Sequence, residues 1–439
     1  MIFRQFVDDD LGCASYLVGD PEAGEAVVID PAFAIEQYLD AARAEGVRIV
    51  RVLETHTHAD HVSGHGRFAL EHGVPVSINP IAQPEYPFDP LEDGDVVRVG
   101  SVEIRAMHTP GHRPEHTAFV IDGKAVTTGD SLFVGEAARP DLAIEAREGA
   151  ADLWRSMRRL AAELPDEAVV YPGHVAGSLC GTNMSEEHST SMGRERRTNP
   201  VLTADRETFV EEASSIGTPR PPTTERVVAL NRGPWLAGLP ALEPLETVPD
   251  GATLLDVRPI EAFAAGHVPG AVSVALDGGS FATRAAFVID SAEPVVVHAQ
   301  SAAEAQEAVR LLRAVGLFDQ RGHVLEPDGA TARTATVTVP ELARLLEEDG
   351  DVQVLDVREE SEREVSALPG AVEVPYRELR IAPPEGLDPD RPVYAICGTG
   401  ARSMLAASLL ERSGLDVRPM VGGGMGDLLR ARRELVQSA

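Results

Sequence analysis

Three histidines and an aspartate fall within six positions, His56, His58, Asp60 and His61, directly after the apolar, β-branched run Ile49-Val50-Arg51-Val52-Leu53. The run reads as a buried strand, so the four side chains leave its carboxyl end, where open α/β sheets expose their ligand sites. Few folds accommodate such a loop without a metal. Imidazole and carboxylate together suit zinc, iron or manganese. His56 and His58 are two apart and Asp60 and His61 adjacent, so a turning loop can aim one pair at each of two neighbouring metal positions. Further candidates close later turns: His112 in Thr109-Pro110-Gly111-His112, Asp130 in Thr127-Thr128-Gly129-Asp130, and His174 in Tyr171-Pro172-Gly173-His174. The strands between them are short and separated by Gly and Pro turns.

At 439 residues the chain is long enough for about three domains at roughly 150 residues each. Its acidic excess, 70 Asp and Glu against 39 Lys and Arg for a formal charge of −31, argues against nucleic acid or an anionic membrane as a partner. No basic leader precedes an apolar core at the N-terminus, and no run of 18 apolar residues occurs, so a cytoplasmic protein outside any membrane is expected. Cys13, Cys180 and Cys397 are odd in number and far apart, which speaks against a disulfide framework. Cys13, in a Gly-Cys-Ala-Ser strand start, reads as packing, and His65, His72, His188 and His267 read as ordinary polar residues.

A polar stretch with Thr198-Asn199-Pro200 and Thr218-Pro219-Arg220-Pro221-Pro222, followed by Asn231-Arg232-Gly233-Pro234-Trp235, reads as a linker closing near residue 245. Beyond it the chain repeats itself. Leu254-Leu255-Asp256-Val257-Arg258 and Val268-Pro269-Gly270-Ala271-Val272 recur 100 residues later as Val354-Leu355-Asp356-Val357-Arg358 and Leu368-Pro369-Gly370-Ala371-Val372, with fourteen residues from Asp to Gly in both. That period implies two copies of a compact domain rather than a solenoid. In the second copy a strand runs into Cys397-Gly398-Thr399-Gly400-Ala401-Arg402 and then a helix. Backbone N–H groups of such a loop, the helix dipole and Arg402 favour a thiolate or persulfide anion on Cys397. The first copy has Val297-His298-Ala299-Gln300-Ser301 at the corresponding place and lacks the cysteine, so a silent copy is expected.

The ordered set His56, His58, Asp60, His61, His112, Asp130 and His174 resembles the ligand signature of the metallo-β-lactamase superfamily, which implies an αββα sandwich with metal at one edge. Ser131 to Gly135, Arg139-Pro140-Asp141 and the stretch from Gly173 through Cys180 to Gly181 resemble its persulfide dioxygenase branch, especially members fused to rhodanese modules. The repeat resembles the rhodanese fold, a parallel sheet flanked by helices. The chain departs from the branch at Ala138, Arg113 and His116. The expected organisation is thus α/β throughout, with a dioxygenase-like domain over 1–240, a silent rhodanese-like domain over 241–332 and an active one over 333–439.

The same resemblance implies that His56, His112 and Asp130 hold one iron(II), while His58, Asp60, His61 and His174 orient those ligands or form a second position. Pattern alone leaves two zinc ions open, as in a glyoxalase II-like thioester hydrolase. The implied partners are a low-molecular-weight thiol persulfide such as glutathione persulfide, O2, and sulfite or thiosulfate. Arg139 is expected to receive a substrate carboxylate, and Cys180 is read either as a substrate-handling thiol or as inert. The sequence leaves a homo-oligomer open.

Overall fold

A computed structural model describes residues 1–438 except 177–179, 182, 183, 216, 218, 349 and 350. Gly177, Ser178 and Leu179 of the dioxygenase-like motif, and Thr218 of the expected linker, lie outside the described residues. The chain divides into two compact units, one of Met1–Pro240 with Arg313–Gly316 and one of Ala241–Leu312 with Leu317–Ala439. Among the described residues no helix is long and apolar enough to cross a membrane.

The first unit holds two six-stranded sheets. One runs in chain order through β1 (Ile2–Val7), β2 (Ala14–Asp20), β3 (Glu25–Ile29), β4 (Arg48–Leu53), β5 (Val76–Ile78) and β6 (Asp89–Pro90). The other runs β12 to β7, comprising β7 (Val96–Val99), β8 (Val102–His108), β9 (Thr117–Ile121), β10 (Ala125–Gly129), β11 (Val169–Pro172) and β12 (Thr190–Ser191). Alternation along the strands sorts their side chains between two faces. Tyr16, Val18, Val27, Ile29 and Leu53 meet Val99, Ile104, Phe119 and Ile121 between the sheets. Leu17, Ala26, Val28 and Val52 face outward onto Ile35, Tyr38 and Phe68, on or beside the helices Glu36–Glu45 and His65–His72. Val120, Val126 and Val170 do the same toward Leu153, Met157 and Leu160 of the helix Ala146–Glu163. Sheets covered on both faces leave their strands buried at every position, as β2, β9 and β10 are. The result is an αββα sandwich.

The stretch expected to be a linker belongs partly to this unit. Asn199 is fully buried and caps the short helix Pro200–Thr203, and Asn231 is buried at the end of the helix Thr224–Arg232.

The second unit holds two parallel sheets. The first, ordered β14-β13-β15-β16, is built from β13 (Thr253–Asp256), β14 (Val272–Ser273), β15 (Val295–His298) and β16 (Gln320–Val324). The second, ordered β17-β21-β20-β18-β19, is built from β17 (Val337–Thr338), β18 (Gln353–Asp356), β19 (Val372–Glu373), β20 (Val393–Ile396) and β21 (Val417–Val421). Register shows the duplication: Leu255 pairs with Val272 and Leu355 with Val372. The repeated Asp-Val-Arg is structural in both copies. Asp256 and Asp356 are fully buried and receive forked bonds from Arg258 and Arg358, with Nε at 2.9 Å and Nη2 at 2.6 Å in each. Each guanidinium also donates to a carbonyl eight residues on, Gly266 or Ser366, so the pair pins the turn that follows the strand.

Candidate metal centre and sulfur-carrier loop

The loop leaving β4 carries Glu54 to His61, and β3, β8, β10 and β11 end beside it, bringing Asp30, His112, Asp130 and His174 to one edge of the sandwich. His56 Nε2 and His112 Nε2 lie 3.8 and 3.5 Å from Asp130 Oδ2, and all three residues are buried. Among the described residues neither His56 Nε2 nor Asp130 Oδ2 has a hydrogen-bond partner, although burial without one is costly for both. Two orphaned acceptors aimed at one point, with a second imidazole nitrogen beside them, fit a cation.

The remaining atoms of these ligands fix their orientation. His112 Nδ1 donates to the Arg139 carbonyl at 2.9 Å, which leaves Nε2 with its lone pair. Thr55 Oγ1 lies 2.9 Å from His56 Nδ1 and 2.9 Å from Asp30 Oδ2. The hydroxyl therefore donates to the carboxylate and accepts from the ring, freeing His56 Nε2 in turn. Burial, and then the neighbouring histidines, push His56 well below the usual imidazole range, and burial lowers His112, so both are held in the neutral form a metal needs. Gly129 sits at φ 46°, and a Cβ there would come within 2.6 Å of Thr55 Oγ1, so a side chain would break the relay.

His58 belongs to a different group. Its Nε2 lies 3.1 Å from Glu54 Oε2 and 3.3 Å from Asp30 Oδ1, and Glu54 also meets His65 Nδ1 at 3.0 Å. Burial alone would raise the Glu54 carboxyl, but the bonds from His58 and His65 outweigh it and hold the group at about 2. His65, read from sequence as ordinary, is thus part of the frame under the metal loop. Asp30 supports this frame from a left-handed backbone at φ 51°, a conformation that L residues adopt at a cost. Arg113, one of the departures from the branch, pairs with Glu115 at 2.8 Å, and Glu115 accepts the Thr57 N–H at 3.1 Å. His116 is buried against Thr109 and His56, and burial pushes it down to about 3.

Asp60, His61 and His174 gather one step further out, and Cys13, read as packing, stands among them. Its Sγ lies 3.2 Å from His174 Nε2, 3.3 Å from Asp60 Oδ2 and 3.5 Å from His61 Nδ1. Burial, and then the Asp60 carboxylate, hold its thiol well above the usual range. Nothing in the sequence near Cys13 announces this, because it arrives by strand pairing: the Ala14 N–H donates to the Gly173 carbonyl and the Val175 N–H to that of Gly12. Cys180 also reaches this region, grouped with Asp130 and His174, and burial pushes its thiol up to about 12. Arg139 pairs within its own motif. Its side chain is buried, and Nε and Nη2 donate to Asp141 at 2.6 and 2.7 Å.

Asn231 is the residue that sequence reasoning most clearly missed. Its Nδ2 donates to the carbonyls of His58 and His61 at 2.9 and 2.8 Å, and its Oδ1 accepts the Ser63 N–H at 2.8 Å. One buried amide thus satisfies three backbone groups of the ligand loop. Asn231→Ala is expected to destabilise the first unit by about 2–4 kcal/mol and to lower metal affinity about 10–100-fold, measured by denaturant titration and metal competition.

In the second unit Cys397 is buried where β20 ends, with Sγ accepting the Gly400 N–H at 3.0 Å at the N-terminus of the helix Ala401–Leu410. Arg402 pairs with Glu362 at 2.5 and 2.7 Å. Burial alone would lower this guanidinium, but Glu362, and after it Cys397, outweigh that and raise it above its usual value. In the first copy Ala299 occupies the Cys397 position and Glu304 that of Arg402, and the Glu304 carboxylate accepts the Gln300 N–H at 2.9 Å. A loop already bonded to its own anion is poorly suited to a second one. Gly424 touches the cysteine loop so closely that a Cβ would lie 1.6 Å from the Gly398 carbonyl oxygen. Gly424→Ala is expected to cost about 1–3 kcal/mol in the second unit and to reduce sulfur transfer, read by denaturation and by a thiosulfate–cyanide assay.

Residues 8–174 match the Metallo-beta-lactamase superfamily, and residues 242–326 and 338–426 match the Rhodanese-like domain. The chain therefore belongs to the metallo-β-lactamase superfamily through its N-terminal part and continues into two rhodanese-like domains. Among its relatives, the mitochondrial persulfide dioxygenase ETHE1 of Bos taurus is 29% identical over 235 residues, 53% of this chain and 87% of that protein. A hydroxyacylglutathione hydrolase of Methylococcus capsulatus is 37% identical over 163 residues, covering 36% of this chain and 60% of that one. The crystal structure of a metallo-beta-lactamase from Staphylococcus aureus aligns with TM-score 0.67 and 26% identity, covering 74% of this chain and 99% of the other. Its alignment runs well beyond the first unit's share of the chain.

Proposed function

We propose that the first unit is a mononuclear iron(II) persulfide dioxygenase and that Cys397 carries sulfane sulfur in a coupled transfer. The observation that supports this most directly is the set His56, His112 and Asp130, two neutral imidazoles and one carboxylate with their free acceptors converging. Two histidines and a carboxylate leave open positions on one face, the arrangement suited to iron oxygenases. Iron bound there would supply the site where dioxygen and a persulfide sulfur meet. The likeness to persulfide dioxygenases over 87% of the bovine relative points the same way.

The balance is simple. A glutathione persulfide, O2 and water give glutathione, sulfite and two protons. A second persulfide, held on Cys397 as the anion, then gives its outer sulfur to sulfite; the S–S bond breaks, thiosulfate forms and the Cys397 thiolate remains. The reverse, taking sulfur from thiosulfate, uses the same atoms. The chain's own residues prepare these steps. Thr55, Asp30 and the Arg139 carbonyl hold the two imidazoles in one tautomer, and Gly400 N–H with the helix N-terminus stabilises an anion on Cys397. The Glu304 carboxylate at the matching loop supports the reading of the first rhodanese copy as silent.

The test is metal analysis of anaerobically purified protein, then dioxygen uptake on adding glutathione persulfide. One His112-dependent iron per chain and uptake matched by sulfite are expected. A His112-dependent metal that is zinc, with no uptake and with thioester cleavage, would replace this reading by the hydrolase one.

A further inference from the structure

We propose that Arg113 receives a carboxylate of the substrate thiol beside the metal centre, so that the centre prefers persulfides of acidic thiols. This rests on the persulfide reading above and names the residue that selects the thiol. Arg113 directly follows His112 and stands in a fixed turn. Its carbonyl accepts the His116 N–H at 3.3 Å and the Gly111 N–H at 3.4 Å, and His108 Nε2 donates to the Pro114 carbonyl at 2.7 Å. Its guanidinium donates through Nε to Glu115 Oε1 at 2.8 Å, and the same oxygen accepts the Thr57 N–H at 3.1 Å. Thr57 lies between His56 and His58, so Glu115 moors the arginine to the ligand loop itself. Backbone and first donor are held before any ligand arrives, which lowers the ordering cost of binding one.

The far end of the side chain is different. Among the described residues Nη1 and Nη2 have no hydrogen-bond partner, and neither is sealed from solvent. The side chain as a whole is only 11% exposed, so its stem is covered and its terminal edge is what meets solvent. Two parallel N–H groups on that edge match the two oxygens of a carboxylate. Glu115 stays on Nε meanwhile, so neither member of the buried pair loses its partner when a ligand binds. Arg139, by comparison, has Nε and Nη2 on Asp141. The chain's formal charge of −31 repels an anionic thiol at long range, and a cation beside the ligands gives it a local reason to stay. After burial and the neighbouring histidines, the Arg113 charge also opposes protonation of His56, so it is felt at the ligands.

The experiment compares S-methylglutathione with its dimethyl ester by calorimetric titration of purified full-length protein, and glutathione persulfide with 2-mercaptoethanol persulfide in oxygen uptake. Wild type should bind the diacid about 10–100-fold more tightly than the ester, the range for a hydrogen-bonded charge pair. Arg113→Gln should bind the two alike. It should also raise KM for glutathione persulfide by a similar factor while KM for the mercaptoethanol persulfide stays as in wild type. Arg113→Lys, which keeps a charge for Glu115 without the fork, should fall between them and carries the test if the glutamine variant does not fold. Absence of a diacid preference in wild type would overturn the proposal without any variant. So would a folded Arg113→Gln that retains the preference or weakens both substrates alike. Failure of the dioxygenase reading would show instead as zinc with no oxygen uptake, the Arg113-dependent preference for the diacid remaining.

Discussion

His112→Ala should abolish persulfide-dependent oxygen uptake, a loss of more than about 10³-fold, while sulfur transfer through Cys397 continues at the wild-type rate. The imidazole supplies one of three converging ligand atoms, and its Nδ1 anchors the loop through the Arg139 carbonyl. Removing it deletes a proposed ligand and leaves a cavity beside buried Asp130, whose Oδ2 has no hydrogen-bond partner among the described residues. The expected readouts are loss of one metal equivalent, no oxygen consumption with glutathione persulfide, and an unfolding transition for the second unit at its usual denaturant concentration. A variant that still consumes oxygen at wild-type rate would remove His112 from the centre. One that folds normally yet loses both activities would show that the two chemistries are not divided between the units.

What the sequence disclosed of this centre follows from how the residues are distributed. His56, His58, Asp60 and His61 are legible because they crowd one loop, and His112, Asp130 and His174 because each closes a Gly turn after a strand. The sandwich is expected from the family resemblance those seven residues carry, and the duplication is legible in a 100-residue repeat. Single residues that act by arriving from elsewhere leave no such trace. Asp30, Asn231 and Cys13 each look unremarked in their own segment, and their roles appear only when β2, β3 and the helix Thr224–Arg232 close on the ligand loop. Arg139 is the opposite case: its charge is visible in the sequence, while its pairing with Asp141, two residues on in the same motif, appears only in the structure. Strands of two residues, such as β6, β12 and β19, are shorter than any periodicity can show.

Cys397→Ser should eliminate sulfur transfer and leave oxygen uptake intact, and the product distribution makes the case sharper than the rates do. Serine keeps the shape of the side chain and the hydrogen bond from Gly400, so the loop, the Arg402–Glu362 pair and the close approach of Gly424 are undisturbed. A hydroxyl, however, holds no sulfane sulfur. With excess glutathione persulfide and oxygen, wild type is expected to accumulate thiosulfate at the expense of sulfite, and the serine variant sulfite alone. If the protein instead runs from thiosulfate toward the proposed iron site, wild type given thiosulfate, glutathione and oxygen is expected to consume oxygen and the variant not. The two experiments therefore report direction as well as residue. Thiosulfate formed by Cys397→Ser at the wild-type rate would place the transfer on another thiol; Cys180, grouped with Asp130 and His174, would be the next to substitute.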